Sequence, residues 1–156
     1  MDRKKVFRND RLTFRLHVLA QTAIDRNDAI FLSETGCSIR ELRVLRLVAD
    51  NPGITFVEIT RLTKLERSLT SRIIQGLLTE GLISRRNLPQ DARRFGLYIT
   101  EKGGHVRLKG RAVSDRLETI LTEPLSREDL DRLDEILERL AIWVDSSDYQ
   151  QRLAEQ

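Results

Sequence analysis

The sequence of 156 residues has few of the groups from which most enzymes build a site. It contains one cysteine, Cys37, and two histidines, His17 and His105. A single cysteine excludes an intramolecular disulfide framework and suits a reducing compartment. These three residues lack the spacing of a metal site, so no metal is expected. Aromatics make up only 5% of the chain and charged residues 33%. That balance argues for a modest aliphatic core under many exposed helical faces, not a deep pocket. No apolar run approaches a transmembrane span. The basic first ten residues are not followed by an apolar stretch and do not read as a signal peptide, so a cytoplasmic protein is expected. No nucleophile–base pair, phosphate-cradling glycine loop or carboxylate dyad stands out. The expectation is a non-enzyme without a cofactor.

What the chain does have is an uneven distribution of charge. The net charge is only +3. Between positions 61 and 94, however, eight Lys/Arg stand against three acids, and between 115 and 138 nine acids stand against three Arg. A basic centre of this kind polarises one surface toward a polyanion. Charge alone leaves an ordinary solvated face equally open.

The basic centre lies in the most patterned stretch, residues 55–100. Thr55 and Glu58 form a capping box, and Phe56, Ile59 and Leu62 follow as an apolar helical face. A short turn, Thr63-Lys64-Leu65-Glu66, leads to a second helix over 67–80 that Gly81 stops. On it Ser68, Ser71, Arg72 and Gln75 share one face, with Arg67 at its edge. Leu69, Ile73 and Leu77 point inward from the other side. Two hydroxyls, a guanidinium and an amide on one exposed face suit DNA base edges and phosphates. Short strands are expected at 82–86 and 96–100, flanking a polar loop at 87–94. A helix-turn-helix followed by a basic-tipped hairpin is a winged helix.

Helices flank this unit on both sides. One is expected over 10–33, with Leu12, Leu16, Leu19 and Ala23 on an apolar seam, broken at Ser33-Glu34-Thr35-Gly36. Ser38 and Glu41 form a second capping box, opening a helix through position 50 whose inward face is Leu42, Leu45 and Val48 or Ala49. Asn51-Pro52-Gly53 ends it. Thr100 can cap a long helix from 101. Close packing against the wing would explain Gly103 and Gly104 near its start, where glycine weakens helix propensity. Glu123-Pro124-Leu125 interrupts, and Ser126 with Asp129 opens a final helix. There Leu130, Leu133, Leu137, Leu140 and Val144 fall at coiled-coil spacing. These terminal seams have little partner within the chain, so a second copy is the economical solution.

Four motifs, in order and spacing, resemble one family. They are Glu66-Arg67-Ser68-Leu69-Thr70-Ser71-Arg72, Gly81-Leu82-Ile83, Asp91-Ala92-Arg93-Arg94 and Ile99-Thr100-Glu101-Lys102-Gly103. Together they are similar to the multiple-antibiotic-resistance-regulator (MarR) family of dimeric winged-helix transcription factors. The resemblance covers residues 10–145. It implies a mainly α fold with a small β-hairpin wing: a winged helix-turn-helix over 38–100 and dimerisation helices at 10–33 and 101–146. It also implies a homodimer on double-stranded DNA, regulating transcription as a repressor at a pseudo-palindromic operator, with release by a small aromatic or anionic effector or an oxidant. The alternative is a winged helix used to bind an acidic protein. The sequence departs from the family pattern at three places: Lys64 stands where glycine is common in the turn, Thr70 where an apolar residue is usual, and Glu66 where Asp is common.

On this reading the DNA-binding residues are Arg67, Ser68, Ser71, Arg72, Gln75, Arg85, Arg86, Asp91, Arg93 and Arg94. Arg72 suits a guanine edge or a phosphate, Gln75 an adenine edge, and the serines phosphates. A carboxylate such as Asp91 can fix one guanidinium while another reaches the minor groove. The resemblance gives that contact to Arg93 or Arg94. His17, beside the first helical seam, is a weak candidate for effector binding. Cys37, near a helix N-terminus that would favour its thiolate, is a weak candidate for redox sensing. A structural role is favoured for both.

Overall fold

A computed structural model describes residues 11–88 and 91–155, with side chains described outside 88–94. The elements are α1 (Leu12–Thr35), α2 (Ile39–Asp50), α3 (Phe56–Thr63), α4 (Arg67–Thr79), β1 (Ile83–Leu88), β2 (Asp91–Ile99), α5 (Glu101–Thr122), α6 (Arg127–Val144) and α7 (Ser147–Ala154). The chain divides into two units, one ending at Leu117 and the other starting at Glu118.

Local chemistry sets most helix ends of the first unit. Gly36 takes the left-handed conformation after α1, with φ 74°, and its N–H donates to the Leu32 carbonyl. Ser38 and Glu41 form the reciprocal cap of α2, and Thr55 and Glu58 that of α3. Each box satisfies N–H groups that a helix start would otherwise leave bare. The N–H of Ile39 finds a further acceptor in the Asp28 carboxylate of α1, at 2.8 Å. Thr100 caps α5 by accepting from the Gly103 N–H at 3.0 Å.

The main core is the winged helix itself. Val44, Leu45 and Val48 of α2, Ile59 of α3, and Ile73, Ile74 and Leu77 of α4 close over Ile83 and Leu97 of the hairpin. Each fully buried aliphatic side chain contributes about 1.5–3 kcal/mol. The antiparallel hairpin pairs Ile83 with Ile99, Arg85 with Leu97 and Asn87 with Phe95, and its register shifts between Asn87 and Leu88. It is longer than the sequence pattern predicts. Residues 87–88 and 91–94, expected in a loop, lie within the strands, with Asn87 opposite Phe95 and Leu88 opposite Asp91, because backbone pairing does not depend on apolar side chains. Ile54 adds a bridge to Leu97, tying the approach to α3 onto β2. A smaller core joins Phe31 of α1 to Val113 and Leu117 of α5.

The two glycines at the start of α5 differ. A Cβ on Gly103 would lie 2.0 Å from the Leu82 carbonyl oxygen, so the helix sits directly on the chain entering β1. A Cβ on Gly104 would meet nothing within 4 Å, so the expectation of close packing fails there. Arg107 fixes the same helix to Asp50 at 2.6 Å, and Arg116 pairs with Glu34. On α1, Leu12, Leu16 and Leu19 are exposed.

In the second unit Ser126 and Asp129 form the expected capping box of α6. The hydrogen bonds from Ser126 hold the Asp129 carboxyl below the usual range. No residue of α6 is buried, and Leu133, Ile136, Leu137, Trp143 and Val144 are exposed. The sequence reading places no helix beyond residue 146, but another follows. Ser146 caps α7 by accepting from the Tyr149 N–H at 3.2 Å. Tyr149 then meets Trp143 edge-on, with ring centroids 5.9 Å apart.

Candidate nucleic-acid interface

Helix α4 presents two distinct sides. Thr70, Ile73, Ile74 and Leu77 are buried. Arg67, Ser68, Ser71, Arg72 and Gln75 are all exposed. The chain reaches this helix through Lys64, whose φ of 55° and ψ of 18° are left-handed. Only glycine enters that region without steric cost, which gives the departure at Lys64 a physical meaning. Glu66 makes no side-chain cap bond. The departure at Thr70 is accommodated by chemistry. Its side chain is fully buried, and its hydroxyl donates to the Glu66 carbonyl at 3.0 Å.

Beside α4 stands the hairpin. Arg85 and Arg86 are exposed on β1. The Arg85 guanidinium lies 3.7 Å from the Phe95 ring centroid, and that of Arg86 lies 5.2 Å from the Tyr98 ring. Arg67 is placed similarly, 5.5 Å from the ring of Phe56 at the start of α3. Asp91, Arg93 and Arg94 lie on the backbone of β2, while their side chains fall outside the described residues. The sequence reading names the arginines but not the aromatic rings beneath them. The one available signal is that Phe56, Phe95 and Tyr98, in a chain only 5% aromatic, all fall in the winged helix.

The weaker candidates fare differently. Cys37 is 4% exposed, and burial pushes its thiol up to about 11, helped by the nearby Glu41 and Glu80 carboxylates. It is therefore a protonated core thiol, and the thiolate that a helix N-terminus would favour is not formed. Desolvation and like charge outweigh the helix end. His17 is exposed on α1. A shallow cavity of about 370 Å³ lies elsewhere, lined by Glu101, Lys102, His105, Val106 and Lys109. All five belong to α5, so it is a surface groove along one helix. Among the described residues no cluster of His, Cys, Asp or Glu has the arrangement of a metal site. No helix among them is long and apolar enough to cross a membrane.

A family model described as MarR family matches residues 35–94, the stretch from the last residue of α1 into β2. No curated protein matches the sequence. Among solved structures, wild-type MarR from E. coli in its apo form is 20% identical, with 85% of this chain and 98% of that chain covered and a TM-score of 0.76. A mutant E. coli MarR complexed with operator DNA is also 20% identical, covering 88% of this chain and 96% of that one, at a TM-score of 0.73. A Mycobacterium tuberculosis MarR family protein in complex with p-aminosalicylic acid is 18% identical, covering 85% and 99%, at a TM-score of 0.72. At such identities the likeness is one of fold, and function must be argued from the site. Motif order, winged-helix geometry and family match agree: residues 35–94 match the MarR family model, and the chain has the fold of the solved MarR structures.

Proposed function

We propose that the protein is a sequence-specific, double-stranded DNA-binding transcriptional regulator that acts as a homodimer, as a repressor whose DNA binding responds to a small effector. One observation carries this reading. The exposed side of α4 bears Arg67, Ser68, Ser71, Arg72 and Gln75 with no acid among them, while its other side is locked into the core. A short helix held this way can enter a major groove with Arg72 and Gln75 toward base edges and Ser68 and Ser71 toward phosphates. The hairpin adds Arg85 and Arg86 beside it. Asp91 would orient the tip, and Arg93 or Arg94 would enter the minor groove.

Dimerisation is supported by uncovered apolar surface. Leu12, Leu16 and Leu19 on α1 and Leu133, Ile136 and Leu137 on α6 are all exposed. Apolar faces this long are normally covered by a partner. A two-fold pair would set two reading heads about one helical turn apart, on a pseudo-palindromic site. The operator complex and the p-aminosalicylic acid complex among the structural relatives support DNA and a small aromatic anion as partners. An effector would act by binding one spacing of the two heads better than another.

The test is selection of genomic fragments by the purified protein, followed by titration of the recovered site against a shuffled duplex. Specific binding is expected, with affinity falling steeply as salt rises. Arg72→Ala should weaken the selected site about 5- to 100-fold and flatten the preference at one base pair. Equal affinity for both duplexes at physiological salt refutes the proposal.

A further inference from the structure

Among the described residues five arginines outside the winged-helix face pair with carboxylates, while Arg152 lies over the ring of Trp143. Arg46 and Arg107 pair with Asp50, Arg111 with Asp115, Arg116 with Glu34 and Arg127 with Asp131. On the hairpin the pattern changes. Among the described residues Arg85 and Arg86 have no carboxylate partner, and each guanidinium lies against an aromatic ring instead. The two kinds of tether differ in one respect. A carboxylate cancels the charge that it orients. A ring attracts the guanidinium through its quadrupole and leaves the full positive charge in place.

The strand register then decides where these charges go. Successive residues of a strand point to opposite faces. Arg85 pairs with Leu97 and so shares a face with Phe95, two residues away on β2. Arg86 pairs with Gly96 and shares the other face with Tyr98. The ribbon thus carries one ring-braced guanidinium on each side. A ribbon whose tip enters a minor groove has a wall of phosphates on either hand.

We infer that Phe95 and Tyr98 are positioning residues, which hold Arg85 and Arg86 as uncancelled cations on the two sides of the wing so that each meets the phosphates of one bordering DNA strand. This rests on the DNA-binding reading proposed above. The rings work by fixing the long arginine side chains before DNA arrives. Ordering a side chain of that kind on binding costs about 0.5–1.5 kcal/mol, equivalent to roughly two- to tenfold in affinity per wing.

The experiment is a double-mutant cycle on the full chain, with anisotropy titrations of the selected DNA site over a range of salt. Arg85→Gln should lower the salt slope by roughly 0.9 per wing, the mark of a lost phosphate contact. Phe95→Leu keeps the charge but removes the ring, and should weaken binding about two- to tenfold per wing. In the Arg85→Gln background the same Phe95→Leu change should cost nothing further. Phe95→Tyr, which restores a ring face, should recover most of the loss. The inference is overturned if Phe95→Leu costs as much without Arg85 as with it, if it costs nothing, or if Arg85→Gln leaves the salt slope unchanged. Thermal melting checks the fold. Should Phe95→Leu unfold the wing, the Arg86→Gln and Tyr98→Leu cycle decides the question on the other face. A parent chain that does not distinguish the selected site from a shuffled duplex sinks the DNA-binding reading and this inference together. A parent that does distinguish them, with an additive cycle, sinks this inference alone.

Discussion

Gly103 and Gly104 are neighbours in the first turn of α5, yet substitution should move stability in opposite directions. A Cβ at Gly103 would stand 2.0 Å from the Leu82 carbonyl oxygen and 3.0 Å from Ile99 Cγ1. Real contacts of that kind stay beyond about 3 Å, so α5 or the Leu82 backbone would have to move by roughly 1 Å. That carbonyl also accepts from the Thr100 N–H at 3.1 Å and the Thr100 hydroxyl at 3.0 Å. Moving it weakens the junction between the wing and α5. Gly103→Ala gains at most about 1 kcal/mol in helix propensity. It loses about 1–3 kcal/mol to overpacking and about 1 kcal/mol in weakened hydrogen bonds. The net expectation is a loss of about 2 kcal/mol. Gly104→Ala meets nothing within 4 Å and should gain up to about 1 kcal/mol. In a chain this size 1 kcal/mol moves the melting temperature by about 2–4 °C. Far-UV circular dichroism melts of both variants should show Gly103→Ala lower by about 4–8 °C and Gly104→Ala higher by about 2–4 °C. A Gly103→Ala protein that melts at or above the parent temperature would refute the reasoning.

Two further outcomes follow from backbone conformation and burial. Lys64→Gly removes a left-handed strain worth about 1 kcal/mol or slightly more, part of which the glycine returns as unfolded-state entropy. It should raise the melting temperature slightly, and a lower one would show that the lysine stem contributes packing that the geometry does not reveal. Cys37 has a folded pKa of about 11 against an ordinary 9.0. Its neutral thiol therefore stabilises the fold fully below pH 9, and that contribution is lost as the pH rises toward 11. The stability difference between the parent and Cys37→Ala, followed by urea melts across this window, should shrink with rising pH. A constant or growing difference would contradict the assignment.

Much of the fold was legible in the chain because its signals are local. The boxes at Ser38–Glu41, Thr55–Glu58 and Ser126–Asp129 each close within four residues, and all three form. The spacing of Ser68, Ser71, Arg72 and Gln75 against Ile73 and Leu77 placed them on opposite sides of α4, since helical periodicity needs no knowledge of the rest of the protein. The helix over Ser147–Ala154 was missed because its apolar content is too slight for periodicity to mark it, and only the serine at its cap gave a sign. The hairpin was read too short, because polar residues can extend a ladder that is held by backbone alone.

By itself the sequence determined the order of the elements from α1 to α6, and which side chains of α4 are left exposed. These depend on neighbours a few residues away. Only the tertiary structure decided that Gly103 has no room for a Cβ where Gly104 does, that the Cys37 thiol stays protonated, and that Phe95 and Tyr98 lie against Arg85 and Arg86. Each of these depends on groups that are distant along the chain, or that meet across a strand register no local pattern encodes. Steric contact, desolvation and ring stacking act through space, and the residues that cause them become neighbours only when the chain has folded.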